Sequence, residues 1–476
     1  MFKSYDELQR YCQENQIQMI DFRMIALTGE IKHLTIPVSR LSPKIFEEGI
    51  GFDGSNYGYT KVEKSDMVFI PDITSAFKDP FWDVPTLSMI GDVFAISETK
   101  EPFEHDPRYI AKKAEDYLKE SGIADANMIS PEFEFYVFDN IAYQYEAHDI
   151  KLKLDAENAY WRRGNELYPN LGYQNRKHGG YHAAPPLDTL HNLRSEMVIE
   201  LEKAGIQVKY HHHEVGGPGQ LEIELEFDTP RQMADTSLLL KYILKNVAVR
   251  NGKTLTFMPK PIFGEAGNGM HVHMYLLKDG QNIFYDPEGY EGLSEIAFYY
   301  MGGILKHAKA LMGFTNPSTN SYKRLVPGYE APVSICFATS NRSSVIRIPG
   351  YVKDPAKKRF EFRPSDATCN PYLAFAALLM AGIDGIINKI DPRKEGYGPY
   401  NINIFELSPE ERAKIGALPA SLDEALDCLE TDHEFLTRGG VMSESFIENW
   451  IAKKREEARA VNTRPHPYEF ELYYSF

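Results

Sequence analysis

The sequence predicts an α+β protein in two parts, a small domain over residues 1–105 and a larger one over residues 106–476. Three observations predict it. Short β-like segments punctuated by Gly and Pro fill the first hundred residues. A well-signalled helix start near Asp106 follows them. Beyond it, strands mix with long helices, and neither GxGxxG after the first strand nor GxxxxGK[ST] anywhere marks a doubly wound nucleotide fold. Antiparallel strands carrying helices on one side fit this order better.

Each element has a local reason. Ser4 caps a helix over about residues 3–15, with Glu7 three residues on in a capping-box pattern. MIDFRMIAL, IKHLTIPV, DMVFIPD and MIGDVFAI are the strand-like pieces of the small domain. Asp106 caps the next helix and Pro107 takes its first position. ISPEFEFYVFD is a strand, LRSEMVIELEKAGI a helix stopped by Gly205, and VKYHHHEV and QLEIELEFD neighbouring strands. A long helix runs from Thr229 to Asn251–Gly252, then GMHVHMYLL is a strand. Helices are expected over about 292–312 and 370–389 and again beyond 408. The last segment, PYEFELYY, reads as a strand. Residues 139–178 read as a polar, aromatic surface excursion.

Composition narrows the function. The 476 residues carry a formal charge of −16, which argues against a general nucleic-acid binder. Four cysteines without metal-ligand spacing indicate a reducing compartment. The start lacks the apolar core of a secretion signal, and the longest apolar run, 371–386, is interrupted by Asp384. The expected location is cytoplasmic.

Chemistry concentrates in four places. Glu132 and Glu134 are two apart in a strand and share a face. Two carboxylates side by side in a core repel and lack solvation, and a divalent cation resolves both problems. Glu214 and Glu222 flank a Gly-Gly-Pro-Gly turn that lets their strands pair. His271 and His273 share one face, and Glu361 lies between Arg359 and Arg363. Such carboxylate sets suit Mg²⁺ or Mn²⁺. Arg324, Arg342, Arg347, Arg359 and Arg363 could clamp phosphate or carboxylate. Activating a carboxylate with ATP as an acyl phosphate would then let an amine displace phosphate. The residues leave plainer readings open: ExE on a solvated strand face, His211–His213 on the surface, QLEIELEFD as a half-exposed strand.

These stretches resemble glutamine synthetases of the bacterial class I type. FDGS (52–55), PEFEF (131–135), HGGYHAAPPLD (178–188), HHHEV (211–215) with GQLEIE (219–224), and KNVAVRNGKTLTFMPKP (245–261) match in order and spacing. So do GMHVH (269–273), NSYKRLVPGYEAPV (320–333), NRSSVIRIP (341–349), RFEFRPSDATCNPYLAFAA (359–377) and HPYEFELYYS (466–475). The resemblance implies a β-grasp-like first domain and a catalytic domain on a curved antiparallel sheet, akin to guanido kinases. It implies ATP-dependent ligation of ammonium to L-glutamate, with two or three Mg²⁺ or Mn²⁺ per site. It implies a dodecamer of two hexameric rings, with active sites between neighbours and the C-terminal tail reaching the opposite ring. No nucleic acid or membrane partner is expected.

Residue by residue, it implies Glu134, Glu214 and Glu222 on a first metal and Glu132, His271 and Glu361 on a second. Arg342, Arg347 and Arg359 would meet phosphates, with Phe227 and His273 near the nucleotide. Arg324, Arg363 and the Gly267 backbone would hold glutamate. Glu330 would close over the intermediate and accept a proton, and Asp53, given to the next subunit, and Tyr181 would form the ammonium pocket. Two departures stand out. The family's NGSGMH is AGNGMH here, so Ala266 replaces an asparagine beside glutamate, with Asn268 as the candidate substitute. A tyrosine that carries nucleotidyl control in some relatives is Phe405, implying no control of that kind. A γ-glutamyl ligase for a larger amine and a catalytically inactive homologue are the alternatives. A guanidino kinase lacks the NSYKRLVPGYE context.

Overall fold

Hydrophobic alternation along the strands decides the architecture. The structure, a computed structural model, describes every residue except 1, 59–64, 97–99, 167–169, 327–330, 340, 403–406, 409, 411–414 and 476. Glu330 and Phe405 therefore lie outside the described residues.

The first sheet joins β1 (Met19–Ile25), β2 (Ile31–Pro37), β3 (Ile50–Asp53), β4 (Asp66–Pro71), β5 (Phe77–Asp79), β6 (Thr86–Ala95) and β7 (Glu101–Pro102). Its main order is β2-β1-β6-β4-β3, with β1 and β6 parallel and the other pairs antiparallel. The Tyr5–Glu14 helix, capped by Ser4 accepting from the Glu7 amide, lays Leu8 and Cys12 onto Ile20, Phe22 and Phe69. This is the β-grasp arrangement. The Pro107–Glu120 helix then starts as expected, with the Asp106 carboxylate accepting from the Arg108 amide. Arg108 ties the two parts together through Asp72 and Asp92 at 2.6 Å and Asp235 at 2.9 Å.

The second sheet uses β8 (Ala126–Phe138), β11 (Val208–His213), β12 (Gln220–Leu225), β13 (Thr254–Thr256), β14 (Met270–Lys278), β15 (Gln281–Asn282), β16 (Ser334–Thr339), β17 (Ser344–Ile348) and β18 (Phe360–Phe362). Its order is β11-β12-β8-β14-β18-β17-β16, and only β16 and β17 run parallel. On one face Phe133, Phe135, Leu221, Ile223, Met270, Val272 and Phe362 point into the core. The Pro230–Arg250, Glu295–Lys306 and Pro371–Ile387 helices pack in that core. The last of these crosses the second so closely that a Cβ at Gly303 would lie 2.0 Å from the Ala381 carbonyl and one at Gly385 2.1 Å from that of Tyr299. Among the described residues no helix is long and apolar enough to cross a membrane.

One expectation gains detail and two are corrected. The 139–178 excursion contains a hairpin, β9 (Asn140–Glu146) with β10 (Asp149–Asp155), that exposes Ile141, Tyr143, Tyr145 and Leu152. The helix expected over 292–312 is two, Glu295–Lys306 and Ala308–Thr315, broken at His307. The tail is helical, Pro467–Tyr473, because His466 caps it, Glu469 completes the box and Pro467 occupies the first turn. Aromatic content suggested a strand there, but capping wins over side-chain propensity in a segment with no strand partner.

Candidate active site

The polar face of the second sheet is the opposite side of the same alternation. In the β8–β12 ladder Glu134 faces Glu222 and Glu132 faces Glu224. In the β8–β14 ladder Glu132 faces His271, and in β14–β18 His273 faces Glu361. Glu361 in turn faces Arg347, and Glu222 faces His212. Six strands thus set one charged stripe above an apolar core. All six residues of β12 are buried, so that strand is not the half-exposed one its alternation allowed.

The stripe floors a cleft of about 920 Å³. Glu132, Glu134, Glu214, Glu222 and His271 line it, as do Tyr181, Ala266, Gly267, Arg324, Arg342, Arg347 and Arg363. Glu214 sits just past β11, where its backbone amide donates to the Gln220 carbonyl. The turn after it needs glycine: a Cβ at Gly216 would lie 2.0 Å from the Tyr136 hydroxyl and one at Gly217 2.3 Å from the Arg176 carbonyl. Gly180 fits against Glu214 in the same way, with a Cβ position 2.4 Å from its carbonyl. That contact sets Tyr181 and His182 beside His212.

Electrostatics divides the stripe. Burial raises the Glu214 carboxyl well above its ordinary value, and Glu134 and Glu222 raise it further. Burial and then Glu132, Glu134 and Glu224 do the same to Glu222. Burial would also raise Glu132, but the imidazoles of His273 and His271, 2.7 and 2.8 Å away, hold it well below the usual range. Burial opposes ionisation of Glu361 too, and Arg363 leads the charges that lower it. Arg347 donates to Glu361 at 3.0 Å and Arg363 makes a second ion pair there. Buried carboxylates pushed up by one another are a donor set short of positive charge, and oxygen-rich sets with one imidazole fit Mg²⁺ or Mn²⁺. A ligand atom from each of His212, Glu214 and Glu222 lies within 4.8 Å of the others, and so it is for Glu132, Glu224 and His273.

Not every expected residue reaches the cleft. His273 is fully buried under it, between Glu132 and Glu361. Phe227 is not in the cleft wall and packs on Tyr275 with Arg359 over its ring at 5.4 Å. Arg359 also reaches His273 Nδ1 at 3.4 Å. Asp53 is exposed at the end of β3, accepts from the Ser55 amide and is not in the cleft wall. Arg324 is buried, donating to the Pro364 carbonyl at 2.7 Å while lining the cleft. Asn268 does not replace the amide missing at Ala266. It is fully buried, donates to the Met258 carbonyl and accepts from Gln220.

Glu224, His212 and Gln220 were missed. Glu224 follows Glu222 by two on one strand, the same spacing that identified Glu132 and Glu134, so the signal was present. His212 donates or accepts at Glu222 Oε1 across 3.2 Å, so it is no surface residue. Gln220 holds Glu134 and the Gly267 carbonyl from one amide.

Known proteins match the chain over nearly its whole length. Residues 16–96 match the family described as glutamine synthetase, beta-Grasp domain, and residues 104–473 match glutamine synthetase, catalytic domain. The chain is 48% identical over 479 residues to a protein of Frankia alni named glutamine synthetase, covering all of both. It is 47% identical over 477 residues to a Cupriavidus pinatubonensis protein named 3-hydroxylaminophenol mutase, again covering all of both. A solved Plasmodium falciparum glutamine synthetase superposes with a TM-score of 0.89 at 31% identity, covering 99% of each chain.

Proposed function

This chain belongs to the glutamine synthetase family, a family of ATP- and metal-dependent ligases, and we propose that within it the chain joins ammonia to the γ-carboxylate of L-glutamate. The observation that carries the reading is the stripe itself: buried carboxylates in two groups, bordered by Arg324, Arg342, Arg347 and Arg363 in one cleft.

Glu134, Glu214 and Glu222 would hold one divalent ion and Glu132, His271 and Glu361 a second. Such ions would supply the positive charge that phosphate oxygens need during transfer. Arg342, Arg347 and Arg359 take the remaining phosphate charge, with Phe227 and His273 on the nucleotide side. Arg347 and Arg363 now satisfy Glu361, so ligand binding exchanges these pairs for substrate oxygens. Arg324, Arg363 and the Gly267 backbone orient glutamate. Its γ-carboxylate oxygen attacks the terminal phosphorus of ATP, and ADP leaves. Ammonia then attacks the acyl carbon of γ-glutamyl phosphate, and phosphate leaves with that oxygen. Tyr181 and a neighbour's Asp53 would bind ammonium, and Glu330 would take its proton. Closing the site keeps water from the acyl phosphate.

The exposed position of Asp53 and the exposed apolar side chains of the hairpin and tail support a ring assembly of the dodecameric kind, and the family matches over 16–96 and 104–473 support a division near residue 105. A cytoplasmic setting is part of the same reading. A second reading, a larger amine as acceptor, draws on Ala266, which lines the cleft with a methyl group where the resemblance implies an asparagine, and on the different name of one full-length relative.

The test offers glutamate, ATP and Mg²⁺ with ammonium, ethanolamine, putrescine or spermidine, with products identified by mass spectrometry. Glutamine formed in preference is the expected result. Turnover confined to a larger amine would move the chain to the second reading. No phosphate release from a folded oligomer would indicate an inactive homologue.

A further inference from the structure

We propose that Lys209 is a built-in cation of the carboxylate stripe. It neutralises Glu224 where Glu132, Glu224 and His273 would otherwise take a third divalent ion, and so limits the nucleotide-free cleft to two. This rests on the metal reading above and fixes the number of ions it involves.

The three side chains meet the requirements of a site. One ligand atom from each lies within 4.8 Å of the others, two are carboxylates and one an imidazole. Glu224 is 3% exposed, and a buried carboxylate calls for a charged or hydrogen-bonding partner. That partner is Lys209. The β11–β12 register shifts between Val208 and Tyr210, which breaks the pleat alternation at residue 209 and lets its side chain come to the charged face. Its Nζ donates to Glu224 Oε1 at 2.6 Å and to the buried Ser130 Oγ at 3.1 Å. It also lies 4.6 Å from the centre of the Phe227 ring. Two hydrogen bonds and an aromatic face fix an ammonium where the trio would otherwise take an ion.

The arrangement has a counterpart across the stripe. Glu361 is clasped by Arg347 and Arg363, two cations that phosphate can draw away. The Lys209 partners are a protein carboxylate, a hydroxyl and a ring, so substrate gives it no reason to move. The Lys209 side chain is 16% exposed and that of Glu224 4%, so the lysine is the more solvent-accessible member of the pair. Removing its charge while keeping most of the stem, as Met or Gln does, frees the Glu224 ligand oxygen for an ion.

The experiment counts Mn²⁺ bound per chain in the intact, nucleotide-free protein by equilibrium dialysis with elemental analysis. It compares wild type with Lys209→Met and Lys209→Gln, the second of which can still donate to Glu224 and protects the fold. Circular dichroism checks folding. The inference predicts two ions in wild type and three in each variant, returning to two in Lys209→Met combined with Glu224→Gln. Three ions in wild type, or two in both folded single variants, would overturn it. No bound ion in wild type would instead remove the metal reading on which it stands.

Discussion

Glu134 and Glu222 face each other across one rung of the β8–β12 ladder, both buried and both on the cleft side. Without a cation this pairing opposes folding; with one it becomes a ligand set. Glu222→Gln should therefore change two properties in opposite directions. The metal-free protein should melt higher, because a carboxylate pushed up by burial and by its neighbours is gone. Metal affinity should fall by more than the roughly 10–100-fold that loss of an outer-shell partner costs. Melting curves with chelator and calorimetric titration with Mn²⁺ check the two halves. A variant that melts lower without metal would contradict the account.

Gly180 controls the position of Tyr181 and Glu214 together. Gly180→Ala places a methyl group 2.4 Å from the Glu214 carbonyl and 2.5 Å from the His213 ring, so the turn or the ligand must move. A shift of about 1 Å at a catalytic group can cost about 100-fold in rate. The expected outcome is a drop of that order in kcat together with a lowered melting temperature, since overpacking a buried position costs about 1–3 kcal/mol. Steady-state kinetics and thermal melts on one preparation measure it.

These relationships were partly legible in the sequence. Period-two spacing revealed Glu132 with Glu134 and the apolar face behind them, and Ser4, Asp106 and Pro107 marked helix starts that the structure keeps. Glu224 carries the same signal, but QLEIELEFD suits a half-exposed strand equally well. Which of these strands is covered on both sides depends on distant helices, and no local pattern states that. The bulge that redirects Lys209 and the parallel β16–β17 pair are likewise products of tertiary pairing. The tail was misread because four aromatics outweighed a capping signal that His466 seldom supplies.

His307 links three helices and should make stability depend on pH. Its Nδ1 lies 2.9 Å from Asp432 and its Nε2 3.0 Å from Asp384, which also pairs with Arg438 at 3.1 Å and Lys306 at 3.7 Å. Burial would lower the imidazole, but the two carboxylates raise it above its ordinary 6.5. A raised histidine contributes fully below 6.5 and loses that contribution as pH rises through its folded value. Asp384 is held low, so its share persists over that range and is lost only on strong acidification. Between pH 6 and 9 the melting temperature of wild type should fall towards that of His307→Gln. Parallel curves across this range would contradict the assignment.

Trp450 anchors the Glu444–Asn462 helix to the core. It is 1% exposed, donates from Nε1 to the Gly313 carbonyl at 2.9 Å and stacks on Phe314 at 5.4 Å. Trp450→Ala should cost about 3–5 kcal/mol. Trp450→Phe keeps most of the packing and leaves the carbonyl bare, at about 1–3 kcal/mol. Denaturant unfolding of the two variants checks the order and the gap.

The most direct test of the central claim follows one oxygen atom. Glutamate labelled with ¹⁸O in its γ-carboxylate is turned over with ATP, Mg²⁺ and ammonium, and the released phosphate is weighed by mass spectrometry. Acyl phosphate chemistry on the carboxylate stripe predicts one ¹⁸O in each phosphate, matched by glutamine that has lost one. Unlabelled phosphate released alongside glutamine would show that the γ-carboxylate never carried the phosphoryl group, and would contradict the account.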